Sequence, residues 1–115
     1  MQAAVVVLCT APADTDAAGK LGAEALARTL VAERLCACVN VLRGVRSFFW
    51  WQGAVDTADE QLLVIKTTRA AAGSLRQRLV ALHPYEVPEV LEFAVADGLP
   101  AYLQWLAASV APERA

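Results

Sequence analysis

The sequence lacks the features that mark several large classes of protein. It contains no apolar run of the roughly 18 to 20 residues that a membrane helix needs, and the apolar opening over residues 1–8 has no basic leading segment of a signal peptide. Lysine and arginine total 10 against 12 aspartates and glutamates, so no basic surface is predicted for a nucleic-acid backbone. We therefore expect a cytoplasmic protein that binds neither nucleic acid nor membrane.

Catalytic motifs and cysteines are also scarce. The chain has one histidine, His83, and shows no Ser-His-Asp order, no glycine-rich phosphate loop and no spaced cluster of histidines and cysteines. We therefore predict that it is not an enzyme. Its three cysteines are a small and odd number, which fits reduced thiols better than a disulfide framework.

Apolar residues, by contrast, are plentiful. Hydrophobic types make up 57% of the chain, above the share of about 45 to 50% in an ordinary soluble domain. The length of 115 residues predicts one domain spanning residues 1–115, which is large enough to bury a core. The apolar surplus therefore predicts surface that is buried between subunits.

The hydrophobic pattern predicts four strands and three helices. Residues 3–10 are a continuous apolar run typical of a covered strand, and Asp14, Thr15 and Asp16 offer capping oxygens for a helix that continues to about Leu35. The later predicted elements are a strand over 38–51 with a bulge at Gly44, a turn at Gln52-Gly53, a strand over 54–68, a helix over about 70–82, a half-buried strand over 90–96 and a final helix from Pro100.

This order of elements predicts an α+β fold, the ferredoxin-like split βαβ sandwich with an antiparallel sheet, an extended hairpin of the second and third strands and an extra C-terminal helix. Right-handed crossovers place the fourth strand beside the first and antiparallel to it. The start of the fourth strand, at Pro88 and Glu89, then faces the end of the first strand at Cys9 and Thr10. The residues predicted to share this rim are Cys9, His83, Glu86 and Glu89, with Asp56, Asp59 and Glu60 as further candidates.

The stretch His83-Pro84-Tyr85-Glu86-Val87-Pro88-Glu89, which we call the connector, holds the only histidine and two of the five prolines. Proline at 84 cannot continue a helix and proline at 88 cannot donate to a central ladder. The connector is therefore predicted to be a rigid link from helix to strand, and it is the leading candidate for a site.

Several segments in the same order resemble the CutA divalent-cation tolerance family across nearly the whole chain. They are Val7-Leu8-Cys9-Thr10-Ala11-Pro12, Leu35-Cys36-Ala37-Cys38-Val39-Asn40, Ser47-Phe48-Phe49-Trp50-Trp51-Gln52-Gly53, Lys66-Thr67, the connector, and Tyr102-Leu103-Gln104-Trp105. The resemblance implies a ferredoxin-like fold, a tight homotrimer built by the extended hairpins and the C-terminal helix, and a role in tolerance to copper and other divalent metals. It also implies a likeness to the trimeric PII-type nitrogen-signalling proteins.

The copper ligands proposed for the family correspond here to Cys9, Cys38 and the neighbourhood of His83. Some members carry a second histidine where this chain has Leu82, so a ligand at that position is absent. Cys36 is an additional thiol, and about six extra residues lengthen the stretch between Cys9 and Cys38. In the hairpin, Phe49 and Trp50 stand where tyrosines are usual.

Each candidate also has a structural interpretation. Thiolate and imidazole suit copper and zinc, but buried cysteines commonly act as small hydrophobic residues, and a sheet of this topology puts Cys9 and Cys38 roughly 9 to 10 Å apart. His83 is either a ligand or an imidazole that interacts with free carbonyls at a helix end. Glu86 and Glu89 are either hard-cation ligands or solvated rim residues. The aromatic residues 48–51 fit a subunit interface better than a pocket.

We therefore predict a homotrimeric protein that responds to metal ions by binding or sensing copper or another divalent cation at Cys9, Cys38, His83, Glu86 and Glu89. The alternative is a PII-like signalling module that binds a small metabolite in the cleft between subunits and acts on a protein partner that the sequence does not identify.

Overall fold

The computed structural model describes residues 3–112 of the chain. Its elements follow the predicted order, with the bounds β1 (Ala4–Ala11), α1 (Ala23–Ala32), β2 (Cys38–Trp51), β3 (Ala54–Thr68), α2 (Arg69–Leu82), β4 (Leu91–Ala94) and α3 (Pro100–Ser109). Within this part of the chain, no helix is long and apolar enough to cross a membrane.

The four strands form one antiparallel sheet in the spatial order β2-β3-β1-β4. This confirms the predicted α+β, ferredoxin-like arrangement, in which β4 returns beside β1 and β3 separates β1 from β2. Leu8 of β1 pairs with Leu91 of β4, so the segment that precedes β4 lies at the end of β1 where Cys9 and Thr10 are found.

Helices α1 and α2 cover one face of the sheet, and the hydrophobic core lies between them and the sheet. Burial alternates strictly along β1, where the odd-numbered residues are buried and the even-numbered ones are only half-buried. This is the period-2 pattern of a strand with one covered face. The core side chains with no exposed surface include Leu26 and Leu30 of α1, Leu63 and Ile65 of β3, and Leu75 and Leu79 of α2.

The opposite face of the sheet, which we call the open face, is apolar but poorly covered. Residues paired across an antiparallel ladder point to the same face, so the pair Val6–Phe93 and the pair Leu8–Leu91 both lie on it. Phe93 is 50% exposed and Leu91 is 51% exposed. Helix α3 covers only the end of this face near Ala4, through Leu106 and Val110.

The hairpin of β2 and β3 is as long as predicted. Its ladder shifts register between Leu42 and Val45, where Gly44 has a φ of 75°, so the predicted bulge is confirmed. The turn is also confirmed, because Gln52 and Gly53 both adopt positive φ as a two-residue hairpin turn requires. The aromatic side chains near the tip are largely exposed.

The predicted start of α1 is wrong. The helix begins at Ala23, with Gly22 as its N-cap, because the polar residues assigned as caps organise the preceding loop instead. Asp16 Oδ1 accepts hydrogen bonds from the backbone N–H groups of Ala18 and Lys20, and Thr15 Oγ1 accepts one from Gly22. A Cβ at Gly22 would lie 2.4 Å from the carbonyl oxygen of residue 13, so only glycine fits this close approach.

Helix α1 also ends earlier than predicted, at Ala32 rather than near Leu35. The N–H of Leu35 bonds to the carbonyl of Leu30 and that of Arg34 to the carbonyl of Val31, which is a Schellman ending. Arg34 takes the left-handed position at φ 59°. Its guanidinium donates to the carbonyls at the C-terminal end of α3, at 3.1 Å to Ser109.

The predicted strand over 90–96 is shorter than expected and is not half-buried. β4 spans Leu91–Ala94, and all four of its residues are exposed. It is an edge strand whose apolar side chains project onto the open face, where about half of the surface of Leu91 and Phe93 stays exposed. The alternation in the sequence is real, but burial of this strand requires another surface.

Candidate functional site

The connector between α2 and β4 runs along the rim of the sheet, as predicted. Helix α2 ends at His83, whose backbone is extended with φ −75° and ψ 142°, because the following proline cannot continue the helix. The His83 side chain turns inward and is only 2% exposed. The one histidine of the chain is therefore part of the packed interior rather than of the surface.

Both nitrogens of the His83 imidazole are engaged. Nε2 lies 2.8 Å from the Thr10 carbonyl oxygen, and the backbone N–H of Tyr85 donates to Nδ1 at 3.0 Å. Because Nδ1 accepts, the ring is neutral and its proton resides on Nε2, which donates to Thr10. Burial lowers the His83 pKa, although the contact with Thr10 and the nearby Glu60 carboxylate oppose the shift. In this conformation neither nitrogen is free to bind a metal ion.

Tyr85 extends the same network to the third strand. Its hydroxyl donates to Glu60 Oε2 at 2.8 Å, and its ring packs against the His83 ring with a centroid separation of 4.7 Å. Burial, and then the hydrogen bond to Glu60, raise the Tyr85 pKa, so the hydroxyl stays protonated as a donor. This network of Thr10, His83, Tyr85 and Glu60 thus links the ends of β1 and α2 to the middle of β3.

Cys9 lies beneath this network with no exposed surface. Burial raises the pKa of its thiol to about 12, and the carboxylates of Glu89 and Glu60 add to the rise. Its sulfur lies 3.6 Å from the Thr10 carbonyl oxygen. Because the thiolate is the form that binds metals, Cys9 is a weak soft-metal ligand as it stands.

Cys38 lies in a different part of the chain. Cys9 pairs with Leu63 of β3 while Cys38 pairs with Lys66, so two strand spacings and three register positions separate the cysteines, or roughly 14 Å. Cys38 is partly exposed, and the Lys66 ammonium lies 3.9 Å from its sulfur. The two predicted cysteine ligands do not meet within one chain.

The extra thiol, Cys36, is buried beside the core, and burial raises its pKa to about 12. The predicted acidic ligands, unlike Cys36, are accessible to solvent. Glu86 and Glu89 are both exposed on the connector. Of the further candidates, only Glu60 reaches the rim network, whereas Asp59 forms an exposed ion pair with Arg46 on the hairpin.

Within residues 3–112, no group of three or more histidine, cysteine, aspartate or glutamate side chains is close enough to hold a metal ion. The structure therefore brings Cys9, His83 and Glu89 to one rim, leaves Glu86 in solvent beside them and separates Cys38 from all four. A metal site that used the full predicted set would need ligands from more than one chain.

A cleft of about 610 Å³ opens between the connector and the base of the hairpin. Its principal lining residues are Phe48, Phe49, Glu60, Tyr85, Pro88 and Glu89. Glu60 is 8% exposed and is one of the residues that line this cleft. The cleft places two carboxylates beside aromatic rings, a combination suited to a positively charged ligand.

Tyr85 was not predicted as a site residue from the sequence, and Glu60 was predicted only as a further candidate. The polar run over residues 56–60 interrupts an otherwise apolar strand, and it was the only signal that one of these carboxylates turns inward. The role of Thr10 rests on its backbone carbonyl, which residue type does not reveal.

Comparison with known proteins gives matches over most of the chain. The family model described as CutA1 divalent ion tolerance protein matches residues 5–109. A curated relative from Thermus thermophilus, the divalent-cation tolerance protein CutA, is 45% identical over 101 residues, which cover 88% of this chain and 92% of the relative.

Solved structures with a similar fold include two divalent cation tolerance proteins. The divalent cation tolerance protein from Thermus thermophilus has a TM-score of 0.84 at 42% identity, covering 94% of this chain and 99% of that one. A structure from Archaeoglobus fulgidus, described as the periplasmic divalent cation tolerance protein CutA, has a TM-score of 0.84 at 30% identity with the same coverage. Since a relative is described as periplasmic, the cytoplasmic location stays a prediction for this chain.

Proposed function

Because the chain belongs to the CutA1 divalent ion tolerance family, we propose that it acts in the response to divalent metal ions by binding or sensing the ion. We further propose that it does so as a homotrimer and without a catalytic step. Copper is the leading candidate ion. Family membership is the observation that carries the proposal. The apolar open face supports assembly as a homotrimer, and the donor chemistry of the rim supports ion binding.

The open face supports the homotrimer. Its ladder presents Leu91 and Phe93 of β4 beside Val6 and Leu8 of β1, and each is at least partly exposed in the single chain. The hairpin adds a second apolar surface, because Trp50 is 73% exposed. Contiguous apolar surface of this kind marks subunit interfaces in soluble proteins. Assembly would bury both surfaces and cover the strand that the sequence predicts to be half-buried.

The donors support ion binding, but they divide into two classes. Glu86, Glu89 and Cys38 are accessible, so we propose that they take part directly in the folded protein. Cys9 and His83 have suitable chemistry but are enclosed, and they would bind only after the connector moves away from Thr10. Because Cys38 is remote from the connector within one chain, a shared site would lie between subunits.

A second candidate function is a PII-like signalling module that binds a small metabolite and acts on a protein partner. The observation that favours it is the cleft beside the connector, whose volume of about 610 Å³ lies in the usual range for small-molecule sites, about 300 to 1,000 Å³. Aromatic walls with a few inward polar groups are also usual for such sites.

Calorimetric titration with copper(II) and zinc(II) tests the first proposal. Wild type should bind both ions, Glu89→Gln and Cys38→Ser should weaken binding, and His83→Ala should leave it within about twofold because the imidazole is already engaged. The matched control is Glu92→Gln, which removes an exposed carboxylate from β4. Absence of heat with either ion, or equal binding by wild type, Glu89→Gln and Cys38→Ser, would count against this assignment.

A further inference from the structure

The cleft between the connector and the hairpin base combines groups from three segments of the chain. Ladder pairing places Ser47 opposite Ala58 and Val45 opposite Glu60, so all four side chains project from one face of the hairpin. Tyr85 and Glu89 of the connector face them across the cleft. The volume of about 610 Å³ is far larger than a single ion requires and suits a small organic molecule.

The charge of the cleft has one sign. Glu60 and Glu89 are its charged lining residues, and no lysine or arginine of the described chain lines it. The nearest cationic group on the hairpin, Arg46, pairs with Asp59 on the opposite face of the ladder. Two carboxylates without a cation in a partly enclosed space favour a positively charged occupant.

Glu60 has unused hydrogen-bonding capacity. The residue is more than nine-tenths buried, at 8% exposure, and Tyr85 donates to its Oε2 at 2.8 Å. Within residues 3–112, no group donates to the other oxygen, Oε1. Oε1 is not among the fully buried side-chain atoms that lack a partner, so solvent reaches it. A ligand that displaces this solvent would be stabilised if it brings an N–H group to Oε1.

The arrangement is better suited to an amine than to a metal ion. Among the described residues, no three side chains of metal-ligating type converge, whereas a divalent cation needs four to eight close donors. An ammonium group can donate to a carboxylate at each wall while its carbon chain lies against Phe49 and Tyr85. A quaternary ammonium would satisfy the charge but leave Oε1 without a donor.

We propose that this cleft is a binding site for a small aliphatic primary amine, with Glu60 and Glu89 as its carboxylate partners and Phe49 and Tyr85 as its apolar walls. The inference specifies the ligand of the second candidate function and does not depend on metal binding. The ligand is a free small molecule, since the cleft is confined between the connector and the hairpin. An amine with two ammonium groups would engage both carboxylates and bind more tightly than one with a single ammonium group.

Binding of 1,4-diaminobutane to the full chain, followed by calorimetry and by backbone amide NMR shifts at Thr10 and Tyr85, tests the proposal. The diamine should bind more tightly than n-butylamine, and butyrate and tetramethylammonium should bind at least about tenfold more weakly than n-butylamine. Glu60→Gln and Glu89→Gln should each weaken diamine binding by at least about tenfold. Glu92→Gln, which removes the same charge outside the cleft, should bind like wild type.

Copper(II) titration of the same variants separates this inference from the metal proposal. Glu60→Gln should lose diamine binding while it keeps copper binding, because Glu60 is not among the proposed metal ligands. Absence of diamine binding by wild type at millimolar concentration would overturn the inference. Equal diamine affinity of wild type, Glu60→Gln and Glu89→Gln would also overturn it, as would tighter binding of butyrate than of n-butylamine.

Discussion

The imidazole Nε2 of His83 and the carbonyl oxygen of Thr10 lie 2.8 Å apart, so a hydrogen bond ties the end of α2 to the end of β1. A second bond, from the Tyr85 N–H to Nδ1, fixes the first turn of the connector on the same ring. The residue that looks most like a metal ligand in the sequence is thus a structural tie in the folded chain. This relationship determines what substitutions at His83 should do.

We expect His83→Ala to lower the free energy of unfolding by about 2 to 4 kcal/mol, because it leaves a cavity at a buried side chain and removes the bonds to the part-buried Thr10 carbonyl and Tyr85 N–H. Urea denaturation followed by circular dichroism measures the change. His83→Gln, whose amide has both a donor and an acceptor, should recover part of the loss. A His83→Ala protein as stable as wild type would contradict the role assigned to the ring.

The lowered pKa of His83 predicts a loss of stability in acid. Because the unfolded histidine titrates near about 6.5 and the folded one below it, the unfolded state binds more protons as the pH falls through that window. The stabilisation from His83 is therefore complete above about pH 6.5 and diminishes towards lower pH. In urea denaturation at a series of pH values, the stability gap between wild type and His83→Ala should narrow from pH 7.5 to pH 5. A gap that widens would show that the ring is charged in the folded state.

The three thiols should differ sharply in reactivity. Cys9 and Cys36 are buried with pKa values raised to about 12, whereas Cys38 is partly exposed beside Lys66. Since the thiolate is the reactive form, an aromatic disulfide reagent at pH 8 should modify one thiol in the native protein and all three in denaturant. Cys38→Ser should abolish the native reaction, while Cys36→Ser should leave it unchanged. Rapid native modification of Cys9 would contradict its burial.

The open face should control assembly. Phe93→Glu places a charge in the middle of that face, so we expect it to shift the protein from trimer towards monomer by size-exclusion chromatography with light scattering. Val80→Glu is the matched control, since Val80 is comparably exposed at 44% but lies on helix α2. If both variants assemble like wild type, the open face is not the interface.

Much of the fold was predictable because local signals agree with the final structure. The bulge at Gly44, the turn at Gln52-Gly53 and the end of α2 before Pro84 all depend on backbone chemistry that residue type fixes. The start of α1 was not predictable, because the side chains of Asp16 and Thr15 can accept hydrogen bonds from backbone N–H groups within a loop as well as at a helix cap. The half-burial predicted for β4 was wrong for a single chain, since its apolar side chains face the uncovered side of the sheet.

The candidate site was predictable in position but not in detail. Topology placed Glu89 beside Cys9 and Thr10, and the cysteines were expected on strands separated by β3. Sequence could not show that His83 would use both ring nitrogens internally, because its partners are backbone groups. Nor could it separate Glu60 from its acidic neighbours, since the hydrogen-bond partner of Glu60, the Tyr85 hydroxyl, is supplied by the distant connector.

Native mass spectrometry with added copper(II) or zinc(II) tests the central claim most directly, because it reports assembly and ion uptake together. The account predicts a species of about three times the chain mass of 12.3 kDa that gains mass stepwise as the ion is added. Glu92→Gln should behave like wild type in the same experiment. A monomer under these conditions, or a trimer whose mass does not change with either ion, would contradict the proposal that the chain binds divalent ions as a homotrimer.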